Sequence, residues 1–336
     1  MKVFTIDGKD YKLPNSLNAF QQEMYVHLIN WKWRYITRES CKDGGYQYDA
    51  ILPDSYADKY PMLYPDIIDA FKMHLQKYPF RVHKYFNHMA SSQTANINLF
   101  LPILLHRNAS AILGMVKPDL ARIAQSQLDN GYRIEFCDEP FGNLNDKTNV
   151  SGTDADIAIA YYNHQEELCL WLVEHKLTEK EFTDCGGYKS KGRQARHDCS
   201  KSFSELLADK RSCYYHDVCK FNYWNITEAN RTFFANHAYQ ASCPFQGGMN
   251  QLWRNQLLAL SIEQDNRQPY QHVSFSVVKH PRNTHLDKSL GAYRDLIANN
   301  PKFSVFTSAD VIHAAAMFAD ASLDQWIGWY PALYDL

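Results

Sequence analysis

The sequence has no long apolar run. Its most apolar stretch, Leu99 to Leu105, is interrupted by Pro102 and falls well short of the roughly 20 residues that span a bilayer. Met1 to Asp10 offers no apolar segment of the kind a secretory leader carries. A cytoplasmic location and no membrane partner are therefore expected. Neither sign of charge is in excess, with 35 Lys and Arg against 37 Asp and Glu. That balance excludes a protein that coats nucleic acid by bulk positive charge, while leaving room for a local basic cleft. No internal repeat and no low-complexity tract is visible. Close Cys-x-x-Cys pairs are also missing, although there are 8 cysteines. In a reducing compartment these are expected to be thiols or metal ligands rather than a disulfide framework.

Aromatic residues are plentiful at 14%, with 22 Tyr and 7 Trp, within an ordinary hydrophobic fraction of 45%. They suit a large core and also suit stacking on bases. Periodicity predicts helices over 14–37, 66–78, 92–106 and 118–130, the last closed by Gly131. Pro14 suits the opening turn of the first, and Ser91 or Ser92 suits the N-cap of the third. Residues 38–65 read as a long irregular arm. Strands are expected over 132–137, 156–162 and 168–176, then a helix over 250–264 and a strand over 272–279. A helix near 286–299, a strand over 303–306 and a helix over 308–319 capped by Ser308 complete the chain. Residues 1–115 are thus expected to form a mainly helical region packed on a core of residues 116–336. That core is an α/β arrangement with a mixed sheet flanked by helices.

The chemistry concentrates in Ser151 to Thr178. Glu174 and Lys176 are two apart on one strand and so share a face. If the preceding turn centres on Gln165, paired positions sum to 330 and Asp156 lies opposite Glu174. Two carboxylates in that relation repel each other. A hard cation such as Mg²⁺ or Mn²⁺ relieves the repulsion and prefers oxygen ligands. A lysine alongside can hold an attacking water and offset charge on a phosphate. Asp154 competes with Asp156, which is preferred because it directly precedes the alternating strand.

These residues resemble the PD-(D/E)XK nuclease superfamily, most closely its bacterial restriction endonuclease-like proteins. The resemblance rests on a helix, three strands, a helix and a strand over 117–279. It rests also on Ser91-Ser92-Gln93, on Glu174 to Glu179 (EHKLTE), on Cys243 to Phe245, and on Gln251 to Asn255. It departs from the family in replacing the usual Pro-Asp with Thr153 to Asp156. It implies Asp156, Glu174 and Lys176 as catalytic residues, Gln251 beside them, Mg²⁺ or Mn²⁺ as cofactor, and DNA as the substrate of an endonuclease in restriction or phage defence. Ser92, Gln93, Lys189, Lys191, Arg193 and Arg254 are candidate DNA contacts.

Cys185, Cys199, Cys213, Cys219 and Cys243 all fall in a polar segment, 183–248, read as an insertion. It shows little apolar periodicity, so a zinc ion or an iron–sulfur cluster on Cys185, Cys213, Cys219 and Cys243 would supply its missing core. Two other functions compete with the nuclease reading. One is a catalytically silent module that binds nucleic acid; the other is a metal- or redox-sensing protein built on the cysteines. Oligomerisation remains open at this level.

Overall fold

The computed structural model describes residues 2–80, 82, 86–147, 152–318 and 320–336. The chain starts with a hairpin of β1 (Lys2–Ile6) and β2 (Lys9–Leu13). Asp7 and Gly8 turn it in the left-handed region, at φ 50° and 72°. Such a turn matches the twist of a two-residue hairpin loop. Helix α1 (Ala19–Tyr35) follows, with Asn18 and Gln21 closing a reciprocal cap. The helix expected over 14–37 is therefore shorter, because its N-cap is Asn18 rather than the turn at Pro14. The arm over 38–65 holds a second small hairpin, β3 (Cys41–Asp43) and β4 (Tyr46–Tyr48). Helices α2 (Ile68–Lys77), α3 (Ser92–Leu104) and α4 (Ala109–Val116) come next. Ser91 caps α3 by accepting from the Thr94 amide.

The expected helix over 118–130 is not found. Leu120–Ile123 is a strand, β5, and the chain then turns through Leu128 and Asn130 at positive φ. Its apolar spacing suited a helix, but strand pairing in the tertiary structure outweighs such local preference. Strands β6 (Tyr132–Phe136), β7 (Ala155–Asn163) and β8 (Leu168–Lys176) follow. Short helices α5 (Phe203–Ala208), α6 (Tyr214–Asp217) and α7 (Tyr223–Ala229) lead to the long α8 (Asn250–Gln264). Then come β9 (His272–Lys279), α9 (Asp287–Leu296), β10 (Phe303–Thr307), α10 (Ser308–Met317) and α11 (Ala321–Tyr334). Thr307, not Ser308, caps α10, in a reciprocal pair with Asp310.

One mixed sheet organises the molecule, in the order β10-β9-β8-β7-β5, with β6 also paired to β7. β8, β9 and β10 run parallel, whereas β7 is antiparallel to β8. The β7–β8 hairpin pairs Ile157 with Val173 and Tyr162 with Leu168, so each pair sums to the expected 330.

Side-chain alternation sorts the sheet into two faces. Ile157, Ile159, Trp171 and Val173 join a core with α3, α10 and α11. Ala158, Ala160, Leu170 and Leu172 join a second core with α8. Residues 183–248 belong to that second core. Phe203, Trp224, Phe234 and Phe245 are buried there, and Phe245 stacks on Trp253 of α8 with ring centroids 4.1 Å apart. The segment is therefore held by aromatic packing within the core it shares with α8 and the sheet. Its helices are only 6, 4 and 7 residues long, too short to reveal a helical period in the sequence.

Candidate active site

Asp156 and Glu174 stand one step beyond Ile157 and Val173, the terminal pair of the β7–β8 ladder. By the two-residue period they and Lys176 share the α8 face with Ala158 and Leu172. β6 extends the row. It pairs Ile134 with Ile157 and Phe136 with Ala155, so Glu135 falls opposite Asp156. Glu135 has φ 50°, a conformation uncommon for a non-glycine residue. Glu135, Asp156 and Glu174 thus form a row of carboxylates across three neighbouring strands. The sequence does carry a signal for the first, a lone charge between the apolar Ile134 and Phe136. Sequence reasoning missed it, because its partner strand is known only once β6 and β7 are seen to pair.

Glu174 is 3% exposed and Lys176 7%, which for charged groups requires partners. Glu174 Oε1 accepts from Lys176 Nζ at 2.8 Å and from Gln251 Nε2 at 2.6 Å. Its Oε2 accepts from Asn255 Nδ2 at 2.8 Å. Gln251 and Asn255 are four apart on α8 and project together, so the helix grips the carboxylate twice. Asn255 was quoted within a motif but given no role. Asp156 Oδ2 accepts from the His175 amide at 2.6 Å, and its carbonyl accepts from Asn96 Nδ2 of α3 at 3.1 Å.

The row is electrostatically tense. Burial, reinforced by Glu174 and Glu135, pushes the Asp156 carboxyl well above the usual range. Burial also pushes Glu135 to about 8, opposed by a hydrogen bond from Gln93 and reinforced by Asp154 and Glu174. Asp154 moves up for the same first reason, with Lys147 pulling it back. For Lys176 burial works against the charge, yet Glu174, Glu179 and Asp156 prevail and raise its pKa. Burial and mutual repulsion thus disfavour the charged form of the carboxyls, while the same neighbours favour the charged form of Lys176.

These side chains open onto a cavity of about 1050 Å³. Ser92, Gln93, Glu135, Asp154, Asp156, Glu174, Lys176 and Gln251 line it, opposite Gln21, Tyr25 and Tyr48 from the N-terminal part. The lining carries seven carboxylates, at 43, 135, 139, 154, 156, 174 and 179, against Arg133, Lys147 and Lys176. Gln21 ties α1 to the strand end by donating to the Thr178 carbonyl at 2.8 Å.

Other expected residues lie elsewhere. Lys189, Lys191 and Arg193 are not among the described residues lining the cavity. Lys189 pairs with Asp184, and Arg193 donates to the Tyr188 carbonyl at 3.1 Å. Arg254 is half-buried, donates to the carbonyl of Gly152 on the cavity wall at 3.5 Å, and has Tyr223 hydrogen-bonded beside it. Among the described residues, no three or more His, Cys, Asp or Glu are spaced to hold a single metal ion. The expected set Cys185, Cys213, Cys219 and Cys243 is thus not arranged as a zinc site. The argument that this segment needs a metal for want of a core also fails, since the core is aromatic. No described helix is long and apolar enough to cross a membrane.

No curated protein and no solved structure matches the chain. A family model does, over residues 34–334. That stretch takes in every strand of the central sheet and the whole carboxylate row, and the chain belongs to the family of restriction endonucleases associating with ARP.

Proposed function

We propose that the protein is a metal-dependent nuclease with a PD-(D/E)XK site, hydrolysing phosphodiester bonds in DNA as an endonuclease of restriction or phage defence. The observation that carries this reading is Glu174. It is a buried carboxylate on a cavity wall, bonded to the lysine two residues on and to two amides of the next helix. A structural ion pair would not need neighbouring buried carboxyls whose ionisation it disfavours. Family membership supports a nuclease-like role. On this reading residues 116–336 form the nuclease core, residues 1–115 pack on it, and 183–248 are inserted between β8 and α8.

The donor chemistry fits Mg²⁺ or Mn²⁺. Asp156 and Glu174 offer oxygen atoms, and the carboxylates around them repel one another until a cation is added. Asp156 and Glu174 would hold the ion, with Asp154 the alternate. Bound there, it would supply Lewis acidity and acidify a coordinated water. The chain's own groups do the rest. Lys176 keeps its proton and so places a fixed positive charge beside the reacting phosphate. Gln251 and Asn255 hold the Glu174 carboxylate in one orientation. Gln93 holds Glu135, and Ser92 and Gln93 line the entrance that a DNA strand would use. An acidic cavity admits a polyanion only when cations accompany it.

Incubation of the purified protein with plasmid and linear DNA, in Mg²⁺, Mn²⁺ or EDTA, tests the proposal. Cleavage that EDTA abolishes and Glu174→Ala removes is expected. No metal-dependent cleavage, or normal cleavage by Glu174→Ala, would overturn it.

A further inference from the structure

Away from the cavity, four cysteines on separate loops meet between β8 and α8. Backbone hydrogen bonds lace these loops together beside them. The Cys243 amide donates to the Cys199 carbonyl at 3.1 Å, Asp198 to Ser212 at 3.0 Å, and Cys185 to Gln246 at 3.3 Å. The glycines after Cys185 allow a close approach. A Cβ on Gly186 would meet Tyr215 Oη at 2.8 Å, and one on Gly187 the same ring at 3.2 Å.

Cys185, Cys213 and Cys243 are buried and Cys199 is half-buried. Burial pushes all four thiols up, and every pairing among the four adds mutual repulsion. Of the other four cysteines Cys219 faces Cys213 alone, so Cys199 takes the place expected of Cys219. The loops also aim amides at sulfur. Tyr188 N–H points at Cys185 Sγ at 3.4 Å. Tyr215 and His216 amides serve Cys213, and a Phe245 amide serves Cys243. Amides directed at sulfur favour thiolate over thiol, and against the burial that raises these thiols a cation among them would complete the ionisation.

We propose that Cys185, Cys199, Cys213 and Cys243 ligate a polynuclear iron–sulfur cluster. Soft thiolates select zinc or iron–sulfur centres. A single zinc draws all four sulfurs to about 2.3 Å from itself, yet no described group is spaced for a single ion. A cluster of several irons spreads its sulfur ligands and fits loops that bring the thiols near without closing them. Each thiol passes its proton to solvent as its iron–sulfur bond forms. Ferrous or ferric iron and inorganic sulfide supply the rest, and no redox step is invoked. Cys185 follows Lys176 by nine residues and Cys243 precedes Gln251 by eight. The cluster would therefore tie the loop leaving β8 to the loop entering α8. The proposal stands whether or not the cavity cleaves DNA.

The test is metal analysis of the full-length protein purified without oxygen, with acid-labile sulfide and the visible spectrum measured on the same sample. Stoichiometric iron and sulfide are expected. Cys199→Ser should lose most of both, and Cys219→Ser should keep them. The aromatic packing of the segment should keep either variant folded, which a thermal melt checks. Folded protein free of iron, zinc in place of iron, or iron lost in Cys219→Ser but kept in Cys199→Ser would each overturn the proposal.

Discussion

The β7–β8 hairpin has two ends, and they treat carboxylates in opposite ways. At the turn, Glu167 is partly exposed and fully served. Its Oε2 accepts from Asn163 Nδ2 at 2.7 Å and sits 3.0 Å from His272 Nε2. The Asn163 bond holds its carboxyl below the usual range. At the other end, Glu135 and Asp156 lie beside Glu174, and burial pushes the carboxyls of Glu135 and Asp156 above the usual range. The hairpin therefore has one carboxylate that braces its turn and, at its far end beside Glu135 of β6, a carboxyl whose ionisation burial opposes. Groups arranged against their own ionisation mark a site rather than scaffold.

The largest expected effect separates the two ends by activity. Asp156→Ala, Glu174→Ala and Lys176→Ala should each lower DNA cleavage by roughly 1000-fold or more. Glu167→Ala should leave it unchanged, and Asp154→Asn should cost less than Asp156→Asn. Initial rates on plasmid DNA read all of these; equal losses at Glu167 and Glu174 would erase the distinction. Next comes the third carboxylate. Glu135→Gln should cost roughly 10- to 100-fold, the range for a group supporting a metal site, with the loss partly recovered at higher Mn²⁺.

Gln251→Ala should cost about 10-fold, with a raised metal requirement, because it orients Glu174 and leaves the donors in place. Metal titrations of the cleavage rate distinguish this from a folding defect. An unchanged metal requirement would confine Gln251 to packing.

The smallest effect is thermodynamic. Between the ordinary carboxyl pKa and about 8, native Glu135 holds a proton that the unfolded chain releases. The native state then binds more protons, so stability falls as pH rises through that window. In EDTA, thermal melts should drop by a few degrees from pH 5 to pH 8. Mg²⁺ should offset the drop, and Glu135→Gln should flatten it. Glu167→Gln should leave the slope as it is. A melting temperature that rises over the same window would show that the row is not strained.

Sequence patterning alone determined the hairpin and its register. Strict alternation in β7 and β8, with a turn at residues 164–167, leaves a single pairing that buries both apolar sets, and that pairing sets Asp156 across from Glu174. The bounds of α8 and β9 were equally legible, since both are long and periodic. The Asp7-Gly8 dipeptide between alternating residues also signals the first hairpin, although the mainly helical expectation for residues 1–115 did not include it. The rest needed the tertiary structure. Leu120 to Ile123 carries helical spacing and becomes a strand because the edge of β7 offers it hydrogen bonds. Glu135 enters the site only through β6 pairing, and Asn255 only through the docking of α8 on the sheet. Cys199 replaces Cys219 because loop meeting, not spacing along the chain, decides which thiols are neighbours. Local periodicity fixes what a strand or helix shows on each face; which faces meet is decided by packing between segments far apart in sequence.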